Sequence, residues 1–152
     1  MAKLGDLRKG RCSEVGRCYL VTAVTRGRSK TFADWRAGCH VARAIHAEHR
    51  EGAVHTYCWV VMPDHIHWLF ELRKGDLSAA VRRMKSRSAS NLNRGVQRAG
   101  QVWQVGFHDR ALRREEDLRT TARYIVANPI RAGLVQRVHD YPLWDAIWLP
   151  RF

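Results

Sequence analysis

Two histidines flank a single isoleucine in the run Met62-Pro63-Asp64-His65-Ile66-His67-Trp68-Leu69-Phe70. The run is β-prone, and alternate side chains of a strand share a face. His65 and His67 then point one way, Ile66 and Trp68 the other. Two neutral imidazoles one strand-step apart form a metal-ligand pair; the plain alternative is two surface histidines on an edge strand. Tyr124 lies in a later stretch whose helical stripe is Leu118, Ala122, Ile125 and Val126. At ~100° per residue the phenol falls outside that stripe, on the side of Asp117 and Thr121. Tyrosines on helices more often serve a core or its rim, a role this placement does not suit. Asn128 follows by one helical turn and points the same way. Pro129 ends the helix there, so Asn128 also suits a C-cap.

The elements that must hold these groups are legible in order. Residues 18–25, Cys18 to Thr25, read as a strand. Residues 32 to about 51 read as a helix, with Asp34 in its first turn, Gly52 as its stop and Phe32, Trp35, Cys39, Ala42 and Ile45 as its apolar face. His40, His46 and His49 are too scattered for ligands and read as solvated. Residues 54–62 form a second strand, Pro63-Asp64 a turn, and the histidine strand returns to Leu72, making a hairpin. Asp76 caps a second helix with Leu77, Ala80, Val81, Met84, Ser88 and Leu92 buried. Residues 101 to about 112 give a fourth strand, and a third helix runs from about Glu115 to Ala127, with Glu115, Glu116 and Asp117 at its N-terminus. The aromatics Tyr141, Trp144 and Trp148 fit a tail packed on the domain better than a base-stacking surface. The order β-α-β-β-α-β plus a helix is an α+β, ferredoxin-like split βαβ pattern, an antiparallel sheet with helices on one face and a C-terminal helix carrying the tyrosine.

The chain has 152 residues, which suits one domain over 1–152 with a basic arm at 1–17 and a tail at 136–152. Lys plus Arg total 27 against 14 Asp plus Glu, a balance of +13. So large a surplus attracts polyanions and points to nucleic acid. Arginine outweighs lysine, which suits bidentate phosphate contacts and stacking on bases. The second helix presents Arg82, Arg83, Lys85 and Arg87 on its outer face, a same-sign run that an anion would relieve. Arg26 and Arg28 lie in a basic loop after the first strand. The four cysteines form no Cys-x-x-Cys pair, so a zinc knuckle is not expected. No segment resembles a signal peptide or a membrane span, and a cytoplasmic protein with reduced thiols is expected.

Three blocks carry a resemblance: Val61 to Leu69; Trp103-Gln104-Val105-Gly106-Phe107-His108-Asp109-Arg110; and Tyr124-Ile125-Val126-Ala127-Asn128-Pro129-Ile130-Arg131-Ala132-Gly133-Leu134-Val135. Their order and spacing resemble the REP-associated tyrosine transposases, members of the single-tyrosine HUH (IS200-like) superfamily. The resemblance extends from Tyr19 to Pro142. It implies that His65 and His67 are metal ligands, that Asn128 occupies the third ligand position and that Tyr124 is the nucleophile. The family usually has asparagine where this chain has Asp64, and often a serine-rich continuation where this chain reads Tyr141-Pro142-Leu143-Trp144-Asp145.

The resemblance further implies a single-stranded DNA endonuclease and strand transferase that acts beside REP hairpins, short palindromes flanked by a tetranucleotide. Its intermediate would be a 5′-phosphotyrosine and its cofactor Mg²⁺ or Mn²⁺. A phenol with pKa near ~10 is a poor nucleophile at neutral pH, and a cation beside the phosphate compensates. Two imidazoles and an amide oxygen favour manganese over magnesium. Histidine ligation predicts that activity falls below pH ~6.5. Arg26, Arg28, Arg82, Arg83, Lys85 and Arg87 are the expected DNA contacts. The chain would work as a monomer or homodimer. The competing expectation is a domesticated REP-hairpin binder with little cleavage, which would need none of His65, His67, Tyr124 and Asn128.

Overall fold

The computed structural model describes residues 13–113 and 117–148. Most of the expected N-terminal arm (residues 1–12), Glu115 and Glu116 of the expected helix start, and tail residues 149–152 lie outside the described residues. The elements are β1 (Cys18–Val24), α1 (Trp35–Arg50), β2 (Val54–Val61), β3 (His65–Leu72), α2 (Leu77–Gly95), β4 (His108–Ala111), α3 (Leu118–Val126), α4 (Asn128–Arg131) and β5 (Trp144–Ala146). The strands form one sheet in the order β4-β1-β3-β2-β5, and every pairing is antiparallel. Its first four members have the split βαβ order predicted from the sequence. β5 is added at the edge.

Strand alternation divides the core into two layers. Tyr19, Val21 and Ala23 of β1 and Ile66, Trp68, Phe70 and Leu72 of β3 pack against α1 and α2 through Val41, Ile45, Leu77, Val81 and Met84. Leu20, Cys58, Val60 and Leu69 face the other way and meet Ala122 and Ile125 of α3. The helix carrying the tyrosine therefore covers the opposite face from the other two. Side chains at even spacing from Leu69 share its face, so His65 and His67 lie on the α3 side of the sheet.

The stripe expected for α2 is buried residue for residue, and Asp76 caps the helix by accepting from the Ala79 N–H at 2.7 Å. The face of α1 differs from expectation. Asp34 is its N-cap, Phe32 belongs to the preceding 3₁₀ turn, and Trp35 is 57% exposed. Ile45 is buried as expected, and Ala37, Gly38, Val41, Ala44, Ala47 and Glu48 are buried with it. Small residues on that side let the helix approach the sheet closely, which outweighs the larger apolar residues counted from spacing. His49 is not solvated either: its Nδ1 accepts the Thr56 N–H at 3.0 Å.

The fourth strand is shorter than residues 101–112. Residues before His108 form a loop joined to the end of β1 by an isolated Thr25–Trp103 bridge, with Gln104 N–H donating to Val24 O at 2.9 Å. Trp103 leaves strand geometry to bury its ring against Phe32, with centroids 5.2 Å apart, and to donate from Nε1 to Ser88 Oγ at 3.0 Å. Gly106, at φ +82°, turns the chain back toward β4. The tail packs on the sheet: Val61 N–H donates to Leu143 O at 2.9 Å, β5 pairs with β2, and Trp148 stacks on Tyr57. No helix among the described residues is long and apolar enough to cross a membrane.

Candidate metal and nucleophile site

Each histidine is held by its Nδ1. Thr22 lies opposite His67 in the β1–β3 register, and its Oγ1 is 2.9 Å from His67 Nδ1. Asp64, in the hairpin turn, places Oδ1 2.7 Å from His65 Nδ1. Its own second oxygen accepts from Arg28 at 3.2 Å, and its carbonyl accepts from Thr25 N–H at 3.0 Å. The ring centroids are 5.0 Å apart, nearly perpendicular. With both Nδ1 atoms engaged, Nε2 of each ring is the atom left to bind a cation. Orientation of a ligating imidazole by a carboxylate or hydroxyl at its other nitrogen is how metal-binding histidines are commonly fixed. Asp64 thus gives His65 a carboxylate partner. Burial pulls the Asp64 carboxyl up, but the hydrogen bonds and charges of His65 and Arg28 outweigh it and hold it below its usual range.

His67 lies deeper. Burial, then the nearby charges of His65 and Arg131, push its pKa down to about 4. The expected loss of ligation below pH ~6.5 therefore does not apply to His67, which stays neutral well into acid. The same shift has a consequence for stability. Between about 4 and the ordinary 6.5 the unfolded chain protonates His67 and the folded chain does not. Stability is thus full above pH 6.5 and falls as pH drops toward about 4, with no further loss from this group below. The total is about 3 kcal/mol. Urea melts from pH 7 to 4 should show that decline, flattened in His67→Asn.

The third component arrives from α3 and α4. α3 ends at Val126, and Asn128 does not cap it: Asn128 starts the single-turn α4, with Pro129 in its first turn. Proline breaks one helix yet suits the first turn of the next. Tyr124 is 64% exposed, outside the buried stripe as its spacing predicted, but Thr121 is buried. Asn128 Nδ2 donates to Ile125 O at 3.1 Å, which turns Oδ1 outward. Arg131, one turn further, donates from NH2 to Asn128 Oδ1 at 2.8 Å and to Tyr124 O at 2.6 Å, with its guanidinium 3.7 Å from the Tyr124 ring centre. Its charge is also near enough to help lower the His67 pKa.

Among the described residues no group of three or more His, Cys, Asp or Glu could hold a metal. A cation here would rest on the two imidazoles and the Asn128 carboxamide. The donor set fits a borderline divalent ion, with open positions left for water or phosphate oxygens.

The expected DNA contacts divide. Arg28 stands beside the site through Asp64, and Arg26 is in the same loop. The α2 residues lie across the sheet from the histidines; Arg82 is exposed, whereas Arg83 and Arg87 do not form a bare same-sign run because Glu48 and Glu51 supply carboxylates. Arg83 donates to Glu48 at 2.8 and 2.9 Å, and Arg87 to Glu51 at 3.1 Å. Lys85 turns inward to the carbonyls of Gln104, at 2.8 Å, and Gly106, and burial pushes its pKa down to about 8. Glu48 is 1% exposed, so removing Arg83 strands a buried carboxylate. Arg83→Ala should lower stability by about 3 kcal/mol, read by thermal melting, whatever it does to DNA affinity.

Three residues on the site's face escaped the sequence reading. Thr22 and Arg131 are identified only by their contacts. His108 pairs with Thr22 across β1–β4, so it shares the face of His67 one strand beyond. The motif Phe107-His108-Asp109-Arg110 held the signal for His108, but its face depends on register.

Residues 16–128 match the family described as "Transposase IS200 like". A Haemophilus influenzae protein named as a REP-associated tyrosine transposase is 30% identical over 139 residues, 84% of this chain and 78% of its own. The REP-associated tyrosine transposase of Escherichia coli K12 is 32% identical over 84 residues, 55% of this chain and 49% of its own. Among solved structures, a REP-associated tyrosine transposase bound to a REP hairpin superposes with a TM-score of 0.71 at 27% identity, over 88% of this chain and 79% of that one.

Proposed function

The chain belongs to the IS200-like transposase family, and from that premise we propose that it cleaves and rejoins single-stranded DNA beside REP-type hairpins. The observation that carries this reading is the pair of histidines, both anchored at Nδ1, on the sheet face covered by the helix of Tyr124. A protein that only bound hairpins would have no use for that arrangement.

In the reaction, Tyr124 Oη attacks the scissile phosphorus. The P–Oη bond forms, the bond to the 3′ oxygen breaks, the phenolic proton passes to solvent and a proton from water completes the 3′-OH. The bond count is conserved, so a second 3′-OH can reverse the step and join strands without ATP. Mg²⁺ or Mn²⁺ held by His65, His67 and Asn128 would supply charge neutralisation at the phosphate. Thr22 and Asp64 keep the imidazoles oriented. Because α3 packs on the sheet of its own chain, we read a site completed in cis, compatible with a monomer.

DNA would be held by the exposed basic side chains of this face, with Arg26, Arg28 and His108 at its borders. The test is incubation with a labelled single-stranded hairpin and either Mn²⁺ or Mg²⁺, followed by a denaturing gel. A protein–DNA adduct and a free 3′-OH fragment are expected. Tight binding with no adduct under either metal would leave the hairpin-binder reading in its place.

A further inference from the structure

Arg131 differs from the other clamped arginines. Arg28, Arg83, Arg87 and Arg137 each pair with a carboxylate. Among the described residues Arg131 holds only neutral groups: one carboxamide oxygen, one carbonyl and one aromatic face. Its bonded oxygen is the very atom assigned above to a cation. A guanidinium and a divalent cation at one carboxamide repel each other, so each disfavours the other's occupancy. Arg131 is exposed, and it sits in a four-residue helix that ends before Gly133 at φ +75°. Its partners among the described residues, Tyr124 and Asn128, are exposed and half-buried. A phosphate offers a guanidinium charged, bidentate acceptors that an amide, a carbonyl and a ring face do not match.

We propose that Arg131 is a phosphate-released latch: without DNA its guanidinium holds Asn128 Oδ1 and Tyr124, and a DNA phosphate draws it off, freeing the carboxamide for a cation. The inference rests on the metal-site reading above. It makes Arg131 a positioning residue that couples DNA arrival to completion of the site. Metal binding and DNA binding then assist each other, because each removes Arg131 from the amide.

The test is Mn²⁺ titration followed by electron paramagnetic resonance, on DNA-free protein, with folding of each variant checked by circular dichroism. Arg131→Gln should bind Mn²⁺ about tenfold more tightly than the unaltered chain. Asn128→Ala combined with Arg131→Gln should erase the gain, because the freed carboxamide oxygen is what the cation acquires. Hairpin DNA added to Tyr124→Phe protein should raise Mn²⁺ affinity, and Arg131→Gln should remove most of that rise. A purely structural arginine predicts the reverse sign, since its loss would loosen the site. If His65→Ala weakens Mn²⁺ binding and Arg131→Gln does not tighten it, the latch alone is overturned. If His65→Ala changes nothing, the metal site goes and the latch with it.

Discussion

Tyr124→Phe is expected to abolish the covalent protein–DNA adduct, a loss of at least about 10⁴-fold, while leaving hairpin affinity within about twofold. The size follows from the chemistry. Removing one oxygen removes the only atom that enters the bond to phosphorus, and no neighbouring group replaces it: the guanidinium over the ring is no nucleophile, and Asn128 Oδ1 is an amide oxygen. Stability should hardly move, because the side chain is 64% exposed and its ring would stay under Arg131. The variant thus separates chemistry from folding and from binding. Matched denaturing and native gels read both quantities. An adduct of undiminished yield in Tyr124→Phe would place the nucleophile elsewhere.

The second large effect is removal of the cation. Chelation is expected to reduce adduct formation by about 10³-fold and to weaken hairpin binding by no more than the coupling through Arg131, about tenfold, because the cation acts mainly on charge that builds in the transition state. His65→Ala and His67→Ala should each reproduce most of the loss, and excess Mn²⁺ should restore His65→Ala more fully. His65 is anchored at the hairpin turn, whereas His67 is deeper and tied to the central strand through Thr22. A cation weakened at the outer ligand still has the inner one to hold it. Asp64→Asn, which brings in the family's usual residue, keeps a hydrogen-bond acceptor for His65 Nδ1 but removes the charge. Its effect should be a modest loss of Mn²⁺ affinity, about tenfold. Cleavage rates unaffected by chelator would remove the metal from the proposal.

Arg83→Ala bears on how charge is read in this protein. The surplus of +13 is real, yet it does not mark a contact surface residue by residue. α2 looks like a bare cationic face when its sequence is taken alone, and Glu48 and Glu51 that answer it are on another helix. A loss of DNA affinity in Arg83→Ala would therefore carry a folding component, which the same substitution at Arg26 or Arg28 would carry far less.

Local periodicity and turn chemistry were enough to place the hairpin at Pro63-Asp64, the shared face of His65 and His67, the buried stripe of α2 and the exposure of Tyr124. Each depends on interactions between residues near one another in the chain, where strand alternation and helical pitch dictate direction. What lay beyond its reach depends on which segments meet. Spacing could not tell that α1 would bury Ala37 and Val41 rather than Trp35, because close packing against a sheet rewards small side chains there. Nor could it tell that Trp103 would leave a strand to reach Phe32 and Ser88. The anchoring of His67 by Thr22 and the pairing of Arg83 and Arg87 with carboxylates of the α1 segment join residues dozens of positions apart. Those pairings are decided by register and by layer order, which exist only once the sheet has closed with α3 on the histidine side and α1 and α2 on the other.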